Sequence, residues 1–227
     1  RHKAIAAMLV LAIVGGTGWF AYQFFRSSSP PIHAKVPPTQ SRGQSAPVSD
    51  SWSAFRGGVT RTGHLDNIPG PTTAQVVWLF KEEGAVAVDF SSSPAVVGGR
   101  VYIGSAQGSL FSSGGMVYCL DANSGNVIWR YSSPIQIFSS PTVVGGRVYI
   151  GEGLHHDIDS RLRCLDANSG QELWAFPTAS HVESSPFVTQ GKAYFGAGED
   201  GVYCVDALEG KEIWHYPSVH VDMSPLV

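Results

Sequence analysis

The chain of 227 residues is 43% hydrophobic and 15% charged, and its 26 Gly and 14 Pro predict frequent turns and argue against long soluble helices. The formal net charge is −3, and the charge is distributed unevenly along the chain, because residues 51–227 carry ten Lys or Arg against seventeen Asp or Glu. An acidic domain repels phosphate backbones, so nucleic acid is excluded as an expected partner.

The first predicted element is a membrane segment at residues 4–25. These 22 residues carry no formal charge, and as a helix they would span about 30 Å of hydrocarbon. Trp19 and Phe20 belong to an aromatic group at the far end, which is typical of a lipid–water interface. We expect a transmembrane helix or signal anchor. The alternative is a signal peptide cleaved near Gly16–Gly18 or at Ala34.

Residues 26–50 are rich in Ser and Pro and have no apolar period. Such a composition buries too little apolar surface to offset the entropy of ordering, so we expect a disordered linker. With either form of the preceding segment, residues 51–227 are exported. The expected product is a single-pass membrane protein with its main domain outside the cytoplasm, in the periplasm or beyond.

Internal repetition predicts the fold of residues 51–227. The segments SSPAVVGGRVYIG, SSPTVVGGRVYIG and SSPFVTQGKAYFG begin at positions 92, 139 and 184, and MSPLV at 223–227 begins a fourth unit. Each complete unit reads as four short strands separated by Gly-containing turns. Four-stranded units of this length form the blades of β-propellers. We therefore predict an all-β partial β-propeller with antiparallel blades at about 91–131, 138–176 and 184–216.

A second repeated pattern, Asp–Ala–x–x–Gly–x–x–x–Trp, lies between the third and fourth predicted strands. It occurs three times, with the residues Asp121, Gly125 and Trp129; Asp166, Gly170 and Trp174; and Asp206, Gly210 and Trp214. Asp can accept hydrogen bonds from its own turn, and Gly can adopt positive φ. Two residues before each Asp stands a cysteine, at 119, 164 or 204. We expect these cysteines to fill equivalent buried strand positions rather than to form a disulfide.

This pattern resembles the tryptophan-docking motif of pyrroloquinoline-quinone-type (PQQ-type) repeat β-propellers, and the resemblance extends over about residues 52–227. It implies that each Trp packs, largely buried, against the neighbouring blade. Cys stands here where the family commonly has Ala. Trp52–Gly63 is similar to the segment that precedes such propellers, and Val76–Phe80 would be an early outer strand. Rings in the family usually have seven or eight blades, so the resemblance implies that this chain holds part of one.

Histidines gather at one predicted end of the blades. His155 and His156 occupy the long loop between the second and third strands of the second unit, and two His–x–acid pairs precede the Pro of consecutive repeats. These pairs are His181 with Glu183 and His220 with Asp222. Imidazole and carboxylate together suit a divalent metal or a polar ligand. The alternative is that the pairs only connect neighbouring blades by hydrogen bonds.

Three functions remain open from the sequence. The first is a non-catalytic module that binds a protein or ligand at the loop face, which resembles the envelope barrel-assembly propellers and requires no cofactor. The second is a quinoprotein dehydrogenase, for which the resemblance implies PQQ, calcium and an Asp base. Adjacent cysteines, frequent in its alcohol-oxidising members, are absent here, and no Asp matches the base. The third is the extracytoplasmic sensor of a receptor kinase whose cytoplasmic part precedes Arg1. We assign no catalytic residue and favour the first.

Overall fold

The computed structural model describes residues 52–58, 61–63, 73, 75–82, 88–108, 113–155 and 157–225. The predicted membrane segment 4–25 and linker 26–50 lie outside these residues, as does His156. Within the described ranges, no helix has both the length and the apolar character needed to cross a membrane. Apart from a single 3-10 turn at Phe55–Gly57, the regular elements described are all strands.

Three antiparallel sheets follow one another along the chain, and each contains four strands in sequence order. The first sheet consists of β2 to β5, and a two-residue strand, β1, also pairs with β3. The second consists of β6 to β9 and the third of β10 to β13. These bounds confirm the predicted all-β class and the three blades. The strands are β1 Val88–Asp89, β2 Ala95–Val97, β3 Arg100–Gly108, β4 Ser113–Asp121, β5 Val127–Ser133, β6 Thr142–Val144, β7 Arg147–Gly151, β8 Arg161–Asp166, β9 Glu172–Pro177, β10 Phe187–Thr189, β11 Lys192–Gly196, β12 Val202–Asp206 and β13 Glu212–Tyr216.

The three sheets share one register. Each cysteine of the repeat pairs with the Trp of the outermost strand, as Cys119 does with Trp129, and a bulge follows the cysteine in every sheet. All three thiols are buried and unpaired. Cys119 and Cys164 lie in buried apolar clusters between consecutive sheets, where cysteine acts as a small apolar side chain.

The apolar core lies between consecutive sheets. One buried cluster combines residues of the first two sheets, among them Val117 and Val148, and a second combines residues of the last two, among them Leu162 and Phe195. The first strands of neighbouring sheets also contact each other, β2 with β6 and β6 with β10. Since a four-stranded sheet cannot bury both faces by itself, stacking against the next sheet supplies the core.

Tryptophan side chains join each sheet to the turn of the next. Trp129 is 8% exposed, and its Nε1 donates to the main-chain oxygen of Ala167, 3.0 Å away. Gly170 has φ +73, and a Cβ added to it would lie 2.6 Å from the Trp129 ring. Glycine is therefore required at position 170 for two reasons: it allows the positive φ, and it lets the indole approach the backbone. Trp174 repeats the arrangement with the oxygen of Ala207 at 3.3 Å and with Gly210.

Two features of this junction differ from the sequence-based expectation. Trp214 is 42% exposed rather than largely buried, because no further sheet follows β13 among the described residues to cover it. Residues 76–80 are not in a strand. Instead, Trp78 donates to the oxygen of Ala122 at 2.9 Å and packs on Gly125, so it occupies the docking position on the first sheet.

The Asp of each repeat closes the turn that receives the indole. Oδ1 of Asp121 accepts hydrogen bonds from the main-chain nitrogens of Asn123 and Ser124, at 3.1 and 2.8 Å. These bonds hold the pKa of Asp121 below its usual range, Ser124 being the largest cause. Asp166 and Asp206 make the same pair of bonds in the other two sheets.

The segment before the first sheet runs past the first strands of all three sheets. The main-chain oxygen of Trp52 accepts from the nitrogen of Val96 in β2, and that of Ser53 accepts from Val143 in β6, both at 2.7 Å. Nη2 of Arg61 donates to the oxygen of Ser185, just before β10, at 3.0 Å. This segment therefore connects the three sheets by hydrogen bonds at or next to their first strands.

A buried ion pair connects the first two sheets. Nε of Arg163 in β8 lies 2.6 Å from Oε2 of Glu152, and both side chains are almost fully buried. Glu152 also accepts from Ser133 at the end of β5. Nη1 of Arg163 donates to the hydroxyl of Tyr131, also in β5, at 2.8 Å. The attraction between the two charges and their hydrogen bonds offset the cost of removing both groups from water.

Candidate functional site

The predicted histidines lie at one end of the second and third sheets, which we call the loop face. It consists of four connections, 152–160, 178–186, 197–201 and 217–225. The Gly–Gly and Asp–Gly turns lie at the opposite end of the strands, because antiparallel strands alternate in direction. Two of these connections touch directly, since Gly198 and Val221 form an isolated bridge.

Three imidazoles meet at one carboxylate on this face. The Nε2 atoms of His220, His181 and His155 lie 2.7, 2.9 and 3.3 Å from the carboxylate oxygens of Asp222. The ring centroids are separated by 5.0 to 6.0 Å, and the His155 and His181 rings are stacked. Three separate connections thus place their imidazoles around a single acidic group.

The other nitrogen of each imidazole has its own polar neighbour. Nδ1 of His155 lies 2.6 Å from Oε1 of Glu183, and Nδ1 of His220 lies 3.3 Å from Oε1 of Glu199. Nδ1 of His181 lies 3.1 Å from the Ser180 hydroxyl, which in turn donates to Glu199 at 2.7 Å. A polar neighbour at Nδ1 therefore orients each ring, and each Nε2 is directed towards Asp222.

His181 is the fixed centre of the group. Its side chain is fully buried, whereas His155 and His220 are half-exposed. Two glycines with positive φ allow this burial, because a Cβ on Gly153 would lie 3.0 Å from the His181 main chain and one on Gly198 would lie 2.5 Å from its ring. The loops at 152–160 and 197–201 close over His181 only because these positions lack side chains.

The electrostatics of the site favour a cation. Hydrogen bonding and charge from Glu183 raise the pKa of His155 above its ordinary value. The hydrogen bond from Ser180 is the main cause that lowers the pKa of Glu199 to about 2. Stabilised negative charge beside imidazoles concentrates positive charge at this end of the sheets.

The structure brings together five of the six residues that the sequence indicated for this site: His155, His181, Glu183, His220 and Asp222. His156 lies outside the described residues. Sequence reasoning missed Glu199 and Ser180, which orient two of the imidazoles. The only available signal was that Glu199 lies in the connection between second and third strands, which reaches the same face.

Comparison with known proteins identifies the fold but not a ligand. A family model described as outer membrane protein assembly factor BamB matches residues 69–218. In a search of curated proteins, nothing matches the chain.

Among solved structures, a europium-containing methanol dehydrogenase aligns over 74% of this chain and 32% of its own length, at 22% identity and a TM-score of 0.57. Quinohemoprotein alcohol dehydrogenase from Comamonas testosteroni aligns over 75% and 33%, at 18% identity and 0.55. The computationally designed Ika4 protein aligns over 66% and 86%, at 14% identity and 0.52. The chain spans about a third of the two dehydrogenases, and at these identities the likeness concerns the fold alone.

Proposed function

Because the chain belongs to the family of PQQ-type repeat proteins described as outer membrane protein assembly factor BamB, we propose that it is a membrane-anchored, extracytoplasmic binding module. Its loop face receives a protein or small-ligand partner, and it catalyses no reaction. Blades and turns supply a rigid support, and the connections of the loop face supply the specificity.

The difference between the two ends of the blades carries this proposal. At one end, the Asp–Gly turns share the pattern Asp–Ala–x–x–Gly, and their polar groups form hydrogen bonds within the turn and with the neighbouring blade. At the other end, connections of unequal length present half-exposed polar side chains such as His155 and His220. Variable polar loops on a repeated scaffold are typical of a binding surface.

Site-specific photo-crosslinking in producing cells tests which end binds. A crosslinking amino acid is placed at Ile158, 71% exposed in the loop face, and in a matched variant at Leu208, 63% exposed in an Asp–Gly turn. We expect a discrete adduct from position 158 and none from position 208, and mass spectrometry identifies the partner. The same adducts from both positions, or adducts from 208 alone, would contradict a loop-face binding function.

The quinoprotein alternative shares the fold and needs a separate test. Two of the similar solved structures are dehydrogenases. The cysteines of this chain lie one in each of three sheets and form no adjacent pair. The test adds PQQ with calcium or a lanthanide to the intact purified protein and follows dye reduction with alcohols or sugars. Our proposal predicts no turnover, whereas quinone-dependent turnover would establish the dehydrogenase reading.

The proposed location is tested with a reporter enzyme that is active only outside the cytoplasm. Fused after residue 50, alkaline phosphatase should be active and should fractionate with membranes. Activity in the soluble periplasmic fraction would instead indicate a cleaved signal peptide. A receptor-kinase sensor would require a kinase domain encoded upstream of Arg1, which the open reading frame decides.

A further inference from the structure

We propose that His155, His181, His220 and Asp222 form a four-ligand site for a divalent transition-metal ion of the zinc type. The inference deepens the proposed binding function by naming the chemistry of one ligand at the loop face, and it rests on that function only for its biological use. The ion would take the place of the close contacts, 2.7 to 3.3 Å, that the three Nε2 atoms now make with the Asp222 carboxylate.

The distances suit a small four-coordinate ion. Ligand atoms of His155, His181 and Asp222 all lie within 4.8 Å of one another, and the His220 Nε2 adds a fourth donor 2.7 Å from Asp222. Zinc binds imidazole nitrogen at about 2.0–2.1 Å and carboxylate oxygen at about 2.0–2.2 Å, in tetrahedral geometry. His155, His181 and Asp222 are thus close enough to approach one ion, and the half-exposed His220 supplies the fourth donor by movement of its side chain.

The groups behind the imidazoles are those that metal-binding histidines require. A ligating His usually donates its second ring N–H to a carboxylate or another acceptor, which fixes the tautomer and leaves the other nitrogen free to ligate. Glu183 and Glu199 occupy this position behind His155 and His220, and the Ser180 hydroxyl does so behind His181. Hydrogen bonding between blades alone would not require all three Nε2 atoms to point at one carboxylate.

The donor set selects among metals. Three imidazole nitrogens and one carboxylate suit zinc, copper or nickel. Calcium prefers six to eight oxygen ligands and magnesium keeps several waters, so neither fits three nitrogens. The ion would join connections 152–160, 178–186 and 217–225, and so fasten the second and third blades at the loop face.

The test titrates zinc, and then cobalt, into the intact purified protein. We expect one zinc to bind by calorimetry, no competition from a large excess of calcium, and a visible cobalt spectrum of the intensity typical of four-coordinate nitrogen and oxygen ligands. The informative variants are His155→Ala and His220→Ala, because both side chains are half-exposed and their removal leaves the fold intact. Each should weaken zinc affinity by more than about 100-fold, and Glu199→Gln by about 10- to 100-fold.

The matched control is His215→Gln, whose imidazole bonds the main-chain oxygen of Asp200 rather than Asp222; zinc affinity should be unchanged. Equal zinc heats for the parent and for His155→Ala would overturn the site, as would a six-coordinate cobalt spectrum. The metal site and the partner-binding function can be disproved independently of each other. Crosslinks at position 158 without zinc binding remove the metal site alone, whereas zinc binding without crosslinks removes the partner-binding function alone.

Discussion

The indole nitrogen of Trp129 donates to the main-chain oxygen of Ala167, 3.0 Å away in the next sheet. The same oxygen also accepts from the hydroxyl of Tyr102 at 3.2 Å and from Nη1 of Arg100 at 3.0 Å. Three side chains of one blade thus converge on one carbonyl of the next. This convergence makes the Asp–Gly turn a polar contact between blades and leads to the first two predictions.

Replacing Trp129 with Ala should lower the free energy of unfolding by about 3–5 kcal/mol, the usual cost of removing a large buried aromatic side chain. Its neighbour Ile128 is 43% exposed on the same strand, so Ile128→Ala serves as the control and should cost much less. Urea unfolding of both variants measures the difference. Similar midpoints for the two would show that Trp129 does not hold the blades together.

Gly170→Ala and Gly146→Ala separate backbone strain from crowding. The two glycines have φ of +73 and +74, but an added Cβ would meet the Trp129 ring only at Gly170 and nothing within 4 Å at Gly146. We expect about 1–2 kcal/mol for Gly146→Ala from the left-handed conformation. Gly170→Ala should cost about 1–3 kcal/mol more from overpacking.

A double-mutant cycle checks this explanation. In a Trp129→Ala background, where the ring is absent, the extra cost of Gly170→Ala should disappear. Urea midpoints of the four proteins give the coupling. If the extra cost persists without the indole, its origin is in the turn itself.

Glu152→Ala should lower the free energy of unfolding by about 3–5 kcal/mol, because it leaves Arg163 charged and buried without its main partner. The double replacement Glu152→Leu with Arg163→Met should recover most of the loss, since an apolar pair of similar volume fills the space. Glu209→Gln, in an exposed pair with Lys211, is the control and should unfold like the parent. Thermal and urea unfolding decide, and a double variant as unstable as Glu152→Ala would argue against the explanation.

Stability should fall at alkaline pH through Cys119. Burial raises the pKa of its thiol from 9.0 to about 11. A raised pKa means that the folded state keeps its proton while the unfolded state loses it. The contribution of the protonated Cys119 thiol to the free energy of unfolding is therefore present below pH 9 and lost as the pH rises towards 11. Cys119→Ala should show a shallower decline of the unfolding free energy between these values. Parallel declines for the two proteins would contradict the assignment.

Much of this protein could be predicted from local sequence, and the physical reason is that a blade is a local structure. Strands joined by two-residue and five-residue turns are neighbours along the chain, so Gly98–Gly99 and Asp121–Gly125 each define a hairpin without reference to distant residues. The repeat then indicates stacking, because one sheet cannot bury both faces. Family membership and the succession of four-stranded antiparallel sheets follow from these patterns.

Contacts between blades and between loops were decided only by the tertiary structure. Trp129 and Trp214 occupy identical positions in the repeat, yet one is 8% and the other 42% exposed, because burial depends on which sheet lies next to the strand. Trp78 docks without the repeat pattern. Glu199 joins His220 across 21 residues of chain. Such distances depend on how the connections fold over buried His181, and no local pattern of residues encodes them.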